Sequence, residues 1–150
     1  MSELNIRPVT PADRDAWAAT YRGYRDFYEK PHEPAVYDTV WAWLNDPDHE
    51  TRGLLAELDG EIVGLAHFRT FARPIAGSTG LYLDDLFTTP TARGKGAANA
   101  LIERLREIAR DEGAGLVRWI TAESNTTARR VYDKLNEPTS WVTYDVAPLD

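Results

Sequence analysis

The fold is decided by the stretch YLDDLFTTPTARGKGAANALIERL (Tyr82–Leu105). Alternating apolar residues over Leu81–Thr88 predict a strand, and RGKGAA (Arg93–Ala98) predicts a glycine-rich loop. The apolar residues that follow recur at helical spacing as far as Ala109, and Gly113 is placed to end that helix. A strand that leads through a basic glycine loop into an amphipathic helix is typical of mixed α/β architecture.

The loop has the composition of an anion-binding turn. The first amides of a helix have no intrahelical partner, and the helix dipole favours a negative charge at that end. The two glycines allow the backbone to approach a phosphate, and the two basic side chains can neutralise a pair of phosphates. We therefore expect a diphosphate to bind here. The residues of the loop are Arg93, Gly94, Lys95, Gly96, Ala97 and Ala98.

Two other glycine-loop chemistries do not fit these residues. A P-loop needs Ser or Thr directly after Gly-Lys, but Gly96 follows Lys95. A dinucleotide fingerprint needs a third glycine where Asn99 stands, and the strand predicted over Leu116–Ala122 has no acidic residue at its end. An isolated RGKG match is equally compatible with a solvated turn, but the amphipathic helix that it opens favours a binding loop.

The remaining elements follow from hydrophobic periodicity and turn signals. Asp59-Gly60 between two alternating runs is a strong hairpin signal, and Pro74–Gly80 is predicted as a loop. The resulting order, βααβββαβαβ, predicts a mixed sheet with helices on both faces. The predicted strands are Leu4–Val9, Gly53–Leu58, Glu61–Phe71, Leu81–Thr88, Leu116–Ala122 and Val142–Val146. The predicted helices run from Thr10 toward Tyr28, over Ala35–Leu44, after the glycine loop and after Asn125.

Composition narrows the class of protein. The chain has 150 residues, which is the size of one ordinary domain, and we expect a single domain over residues 1–150. A net charge of −7 argues against a nucleic-acid partner. The absence of cysteine and the scattered positions of three histidines predict no metal. No apolar run of about 20 residues and no secretory signal are present, so we expect a cytoplasmic protein without a membrane partner.

At this point the residues carry a family resemblance. The chain resembles GNAT-type N-acetyltransferases, whose acetyl-CoA loop has the pattern [RQ]xxGx[GA], met here by Arg93, Gly96 and Ala98. YLDDLF (Tyr82–Phe87) and WITAESNTTARRVYDKL (Trp119–Leu135) are similar to the spermidine/spermine N-acetyltransferase-like branch. The resemblance implies an α/β (mixed α+β) fold: a central mixed sheet of six to seven strands, about four flanking helices, and splayed fourth and fifth strands.

The resemblance also implies roles for individual residues. The pantetheine arm of acetyl-CoA would pair with the backbone of Leu86, Phe87 and Thr88, and Asn125, at a helix start, would contact the cofactor. Tyr132 stands at the position of the general acid, and a phenol with a pKa of about 10 is protonated at neutral pH. Without the resemblance, Tyr132 would be a core aromatic, because it belongs to an apolar stripe on its helix.

Asp84 and Asp85 are the candidate bases for deprotonating an amine. In a regular strand adjacent residues face opposite sides, so one carboxylate at most would reach the acceptor; we expect this to be Asp84, at the position of the branch's glutamate. A surface carboxylate is the alternative for Asp84, and Asp85 or a water is the alternative base. Regular alternation would bury Asp85 beside Leu81 and Leu83, which requires a bulge or a polar partner.

The expected activity is transfer of an acetyl group from acetyl-CoA to a primary amine of a small polyamine-like or amino-acid-like molecule. The amine would attack directly in a ternary complex, and the first two helices and their loop would select it. The alternatives are a catalytically silent acyl-CoA-binding module, a structural α/β domain, and an acetyltransferase for a protein or peptide amine. The identity of the amine, the use of other acyl groups and the formation of a homodimer are left open by the sequence.

Overall fold

Five strands form one sheet and follow each other across it in chain order. The computed structural model describes residues 3–150, in which β1 to β4 are antiparallel neighbours and β5 lies parallel to β4. The mixed α/β class and the four α-helices agree with the sequence prediction. The strands are β1 (Leu4–Pro8), β2 (Arg52–Leu58), β3 (Glu61–Arg73), β4 (Ser78–Thr88) and β5 (Val117–Arg118). The helices are α1 (Arg14–Phe27), α2 (Pro34–Leu44), α3 (Ala97–Glu112) and α4 (Thr126–Tyr132).

The helices cover the sheet on both faces. On one face Trp17 and Tyr21 of α1 and Val40 of α2 pack against Leu55, Leu65 and Phe87 of the strands. On the other face lies α3, whose Leu101 would stand 3.6 Å from a Cβ added to Gly64 of β3. The buried residues of α3 recur at helical spacing, and Gly113 ends that helix with φ of 76°. These contacts place β3 and β4 between two helical layers.

The hairpin between β2 and β3 forms as predicted. Asp59 has φ of 51° and Gly60 has φ of 86°, the pair of left-handed conformations that a primed two-residue turn requires. The predicted loop over Pro74–Gly80 is shorter than expected, because a 3₁₀ turn occupies Pro74–Ala76 and β4 begins at Ser78. The β3–β4 pair is therefore longer than the apolar alternation indicates.

The strand count is lower than predicted. The fifth strand, expected over Leu116–Ala122, covers only Val117–Arg118, and Val142–Val146 is not a strand. An alternating pattern states which side chains can share a face, but a strand also needs a neighbour for its backbone groups. The side chains of Trp141, Tyr144 and Val146 are exposed in the structure. The described residues thus form a five-stranded sheet rather than one of six or seven strands.

The splay between β4 and β5 is confirmed. The two strands pair at Leu81 with Val117 and at Tyr82 with Arg118, and no further pairing joins them within residues 3–150. β3 continues to pair with β4 as far as Thr88. In the part of the chain that the structure describes, the second half of β4 therefore has a strand on one edge only.

The chain divides into two compact units, one ending at Ile120 and one comprising Thr121–Asp150. The first contains the sheet and α1 to α3. The second contains α4, after which residues 136–150 have no helix or strand. A single domain over residues 1–150 stays a prediction. Within residues 3–150 the structure has no helix that is long and apolar enough to cross a bilayer.

Candidate active site

A β-bulge interrupts β4 at Asp84. His67 of β3 lies opposite Asp85, whereas the next residue, Phe68, lies opposite Leu83. Asp84 therefore has no residue of β3 directly opposite it in the strand register. The extra residue shifts the alternation of side chains by one position. Leu83 therefore faces away from α1, while Asp85 and Phe87 face toward it. The sequence analysis required either a bulge or a polar partner for Asp85, and the structure provides both.

Asp85 lies at the centre of a buried polar cluster. Its Oδ2 is 2.8 Å from Nδ1 of His67 and accepts a hydrogen bond of 3.1 Å from the hydroxyl of Tyr21. Burial raises the pKa of Asp85, but hydrogen bonds from His67, Tyr24 and Tyr21 outweigh it and hold the pKa below its ordinary value. Asp85 is therefore a carboxylate that remains ionised although most of its side chain is buried.

Asp84 lies in a different environment from its neighbour. It forms an ion pair with Arg69 at 3.1 Å, and 36% of its side chain is exposed. Burial raises the pKa of Asp84 above its ordinary value, the positive charge of Arg69 lowers it, and the charge of Asp85 raises it further. Of the two carboxylates, Asp84 is the better proton acceptor, because its conjugate acid is the weaker one.

The expectation that these carboxylates face opposite sides is wrong. Arg69 lies two residues after His67 on β3, so both side chains project toward α1. Because Asp84 binds Arg69 and Asp85 binds His67, both carboxylates lie on the α1 side of the sheet. The bulge is the physical cause, since it removes the alternation that would separate them.

The glycine loop has the backbone geometry of an anion site. Gly94 and Gly96 have φ of 81° and 84°, the left-handed conformation that glycine adopts at little cost. Gly96 is the N-cap of α3, and no side chain among residues 3–150 caps this helix, so its first amides retain their hydrogen-bonding capacity. Arg93 and Lys95 are exposed, whereas Ala97 is buried at the base of the helix. Ala98 follows in the first turn.

The end of β4 leads directly into this loop. Phe87 is buried in the core with Trp17 and Tyr21, so its side chain is structural and only its backbone can face a ligand. Leu86 and Thr88 are half-buried. The hydroxyl oxygen of Thr88 is buried without a hydrogen-bond partner among the described residues. A buried hydroxyl without a partner costs free energy, and a ligand beside β4 would supply the missing hydrogen bond.

Asn125 and Tyr132 lie in the second unit, at the two ends of α4. Oδ1 of Asn125 accepts a hydrogen bond from the amide of Ala128 at 3.4 Å, which confirms that Asn125 caps this helix. Tyr132 is the last residue of the helix and is half-buried. The contact of Asn125 with a cofactor and the catalytic role of Tyr132 stay predictions.

Comparisons with known proteins identify the family. The family model described as the acetyltransferase (GNAT) family matches residues 17–136, which include the bulge, the glycine loop and α4. The chain belongs to the GNAT acetyltransferase family. It is therefore an acetyl-CoA-dependent N-acetyltransferase, which confirms the family and the enzyme class that the resemblance implies.

Two curated relatives of this GNAT chain are N-acetyltransferases. It is 30% identical to a D-amino-acid N-acetyltransferase of Saccharomyces cerevisiae, over 93% of this chain and 88% of the relative. It is 32% identical to a thialysine N-epsilon-acetyltransferase of Caenorhabditis elegans, over 96% of this chain and 92% of the relative. A solved aminoglycoside N-acetyltransferase in complex with CoA has a TM-score of 0.82 at 19% identity, with 99% of this chain and 97% of that chain covered. That likeness shows the fold.

The residues of this GNAT chain fit acetyl-CoA as its acetyl donor. The uncapped start of α3 and the exposed basic side chains of Arg93 and Lys95 suit the pyrophosphate. The unpaired edge of β4 and the buried hydroxyl of Thr88 suit an extended arm with amide groups. When bound, the coenzyme supplies the activated acetyl group as a thioester.

Sequence reasoning missed His67, which it treated as one of three scattered histidines. His67 is 2% exposed and bonds both Trp17 and Asp85. One signal was present: Leu65 and His67 are two positions apart on β3, so a lone histidine shares a strand face with a core leucine. Its partner could not be found from the pattern alone, because the bulge decides which residue of β4 lies opposite.

Proposed function

We propose that this GNAT acetyltransferase transfers the acetyl group of acetyl-CoA to a primary amine of a small polyamine-like or amino-acid-like molecule. The observation that carries the proposal is the pair of carboxylates, Asp84 and Asp85, on one side of β4. Arg69 offsets one of these two negative charges, and the remaining anion in a partly buried site favours a cationic acceptor. The two curated relatives described above, which are named for an amino acid and for an amine of an amino-acid side chain, support the same class.

The reaction removes two protons from the acceptor nitrogen, one before attack and one after it, and donates one proton to the departing sulfur. An alkylammonium with a pKa of about 10.4 has no free electron pair, so it must lose a proton before it attacks. Asp84 accepts that proton directly or through a water, because its pKa is raised by burial. The amine nitrogen then attacks the thioester carbonyl carbon, the carbon–sulfur bond breaks, and the acylated nitrogen loses its second proton to solvent. Tyr132 donates its phenolic proton to the departing sulfur.

The donor is bound by backbone and basic groups. The amides at the start of α3, with Arg93, Gly94, Lys95, Gly96, Ala97 and Ala98, hold the pyrophosphate. The backbone of Leu86, Phe87 and Thr88 pairs with the pantetheine arm, and Asn125 contacts the same coenzyme. The basic loop thus binds the donor, and the carboxylates bind the acceptor at a separate place. Both substrates can therefore be bound at once, as direct attack in a ternary complex requires.

A thiol-release assay with acetyl-CoA tests the proposal. The panel of acceptors contains polyamines, lysine analogues, D- and L-amino acids, aminoglycosides and N-terminal peptides. We expect release with small aliphatic amines or amino acids. Release with peptides alone would assign the enzyme to protein amines, and tight CoA binding without release for any acceptor would identify a silent module.

Replacing Tyr132 tests the acid directly. We expect Tyr132→Phe to lower kcat by about 10²–10⁴-fold, the usual contribution of a positioned general acid, while the Kd for acetyl-CoA is unchanged. Tyr144→Phe is the matched control, because Tyr144 lies in the same unit and is exposed. Equal kcat for Tyr132→Phe and the control would remove the proposed role.

Replacing Gly96 tests the loop. We expect Gly96→Val to abolish CoA binding in calorimetry, because valine disfavours the left-handed conformation and adds bulk at the start of α3. Gly77→Val is the matched control, since Gly77 also has a positive φ but lies in the β3–β4 connection. Equal loss of CoA binding in both variants would show general unfolding rather than a loop effect.

A further inference from the structure

A chain of buried hydrogen bonds connects α1, β3 and β4. The indole Nε1–H of Trp17 donates to Nε2 of His67 at 2.9 Å, and Nδ1 of His67 lies 2.8 Å from Oδ2 of Asp85. The hydroxyl of Tyr21 donates to the same carboxylate oxygen. Trp17 is fully buried and His67 is 2% exposed, so water does not replace these partners. The mechanism described above uses neither Trp17 nor His67.

The hydrogen-bond partners of His67 determine which of its ring nitrogens carries a proton. An indole nitrogen can only donate, so Nε2 of His67 must accept and cannot carry a proton. The one ring proton is therefore on Nδ1, where it is donated to Asp85. His67 is neutral in this arrangement. It cannot relay a proton, since Trp17 has no second proton to exchange, and it acts as a fixed donor.

The fixed donor determines how Asp85 presents its charge. His67 and Tyr21 both bind Oδ2, Tyr24 also donates a hydrogen bond to this carboxylate, and 19% of the Asp85 side chain remains exposed. An ionised carboxylate held by these donors is oriented before any ligand arrives. The other titratable and charged groups that face this cluster are Tyr24 and Arg25 of α1, Tyr37 of α2, Arg69 of β3 and Asp84 of β4.

A row of tyrosines leads from the protein surface to this carboxylate. The rings of Tyr21 and Tyr24 stack with centroids 5.7 Å apart, and those of Tyr24 and Tyr28 lie 4.9 Å apart. Tyr28 is 41% exposed, whereas Tyr21 is buried beside Asp85. Aromatic faces attract organic cations, and their apolar surface accommodates a methylene chain. The row and the anion at its inner end suit a flexible alkylammonium.

We propose that His67 is a positioning residue for acceptor binding: locked by Trp17, it orients Asp85 as the anchor for the ammonium of a flexible aliphatic primary amine. This inference rests on the proposed function and gives the two carboxylates different roles. Asp85 binds the ammonium and stays ionised, while Asp84 accepts the proton. His67 touches neither substrate and acts only through Asp85.

Two substitutions of His67 separate positioning from packing. In His67→Asn the side-chain amide nitrogen lies near the former Nδ1 and can still donate to Asp85, whereas His67→Leu removes the donor. We expect His67→Leu to raise the KM for the amine by about tenfold, the size of one lost hydrogen bond to a charged group. The KM for acetyl-CoA and kcat should stay within about twofold, since that hydrogen bond acts on amine binding alone. His67→Asn should restore most of the amine affinity.

His49→Leu is the matched control, because His49 stacks on Trp43 and is not part of the cluster. It should leave both KM values unchanged. Equal increases of the amine KM in His67→Asn and His67→Leu would overturn the positioning role. A fall of kcat together with increases in both KM values would also overturn it, since that pattern reports general disruption.

A second measurement does not depend on turnover. In ¹⁵N NMR of the wild-type protein with CoA bound, the His67 ring should show a proton on Nδ1 and none on Nε2. Addition of diaminopentane should shift the Nδ1 resonance, and this shift should disappear in Asp85→Asn. A proton on Nε2, or no shift with the amine, would refute the inference. Absence of thiol release with every acceptor would instead refute the proposed function, and the NMR result would still decide the role of His67.

Discussion

The two halves of β4 present their alternate side chains to opposite sides of the sheet. Before the bulge, Leu81 and Leu83 are buried on the side of the sheet away from α1. After it, Asp85 and Phe87 face α1, although a regular strand would place all four on one side. One additional residue, Asp84, makes the difference. The comparison teaches that a single inserted position can convert a purely structural strand into one that supports a charged site.

Deleting Asp84 should remove the difference between the two halves of β4, and we expect the largest effect on stability from this change. The deletion restores regular alternation and forces the Asp85 carboxylate into the apolar layer beside Leu81 and Leu83. An unpaired buried charge costs about 3–5 kcal/mol, which is a large part of the stability of a small domain. We expect loss of cooperative unfolding or a much lower urea midpoint by circular dichroism. Asp84→Ala keeps the length of the strand and is the control; a deletion as stable as this control would contradict the bulge argument.

Replacing Asp85 should change how the unfolding free energy depends on pH, with a smaller effect than the deletion of Asp84. The folded pKa of Asp85 is lower than its unfolded value, so its ionised form stabilises the fold above the unfolded pKa, and this contribution is lost as the pH falls. We expect the difference in unfolding free energy between wild type and Asp85→Asn to shrink on acidification below about pH 4. Urea titrations at a series of pH values measure it. A difference that is constant with pH would show that Asp85 is not held as an anion.

Replacing Arg69 should have the smallest effect, which we expect only in the pH profile of kcat/KM. Arg69 lowers the pKa of Asp84, so Arg69→Gln should raise that pKa and move the acidic limb of kcat/KM to higher pH. Arg14→Gln, which removes an exposed arginine paired with Asp38, is the control. Coincident pH profiles for wild type and Arg69→Gln would indicate that Asp84 is not the base.

Much of the fold could be predicted because the signals were local. The Asp59-Gly60 turn, the helix after the glycine loop and its end at Gly113 each depend on a few neighbouring residues with clear conformational preferences. Asn125 as a helix cap belongs to the same class. The GNAT assignment followed, because the loop and its flanking elements are contiguous in the sequence.

The features of the fold and the site that the sequence did not predict depend on partners distant in the sequence. Val142–Val146 alternates as a strand should, but alternation does not supply a neighbouring strand. His67 is linked to Asp85 across 18 positions and to Trp17 across 50, and the register that joins the first pair depends on the bulge. Asp85 was the alternative base, because Asp84 stands at the position of the branch's glutamate. The sequence thus names candidate site residues one by one, whose roles stay predictions, but it does not reveal the hydrogen-bond network around Asp85.

The short pairing of β4 with β5 has a consequence for amide exchange. Past Tyr82, β3 is the one strand among residues 3–150 that pairs with β4, and alternate amides of a strand point toward opposite edges. Some of the amides between Asp85 and Thr88 therefore face the edge away from β3, and they should take up deuterium far sooner than their neighbours. A coenzyme arm seated along that edge would slow the labelling of every second position, so the spacing of protected amides would trace the path of the ligand.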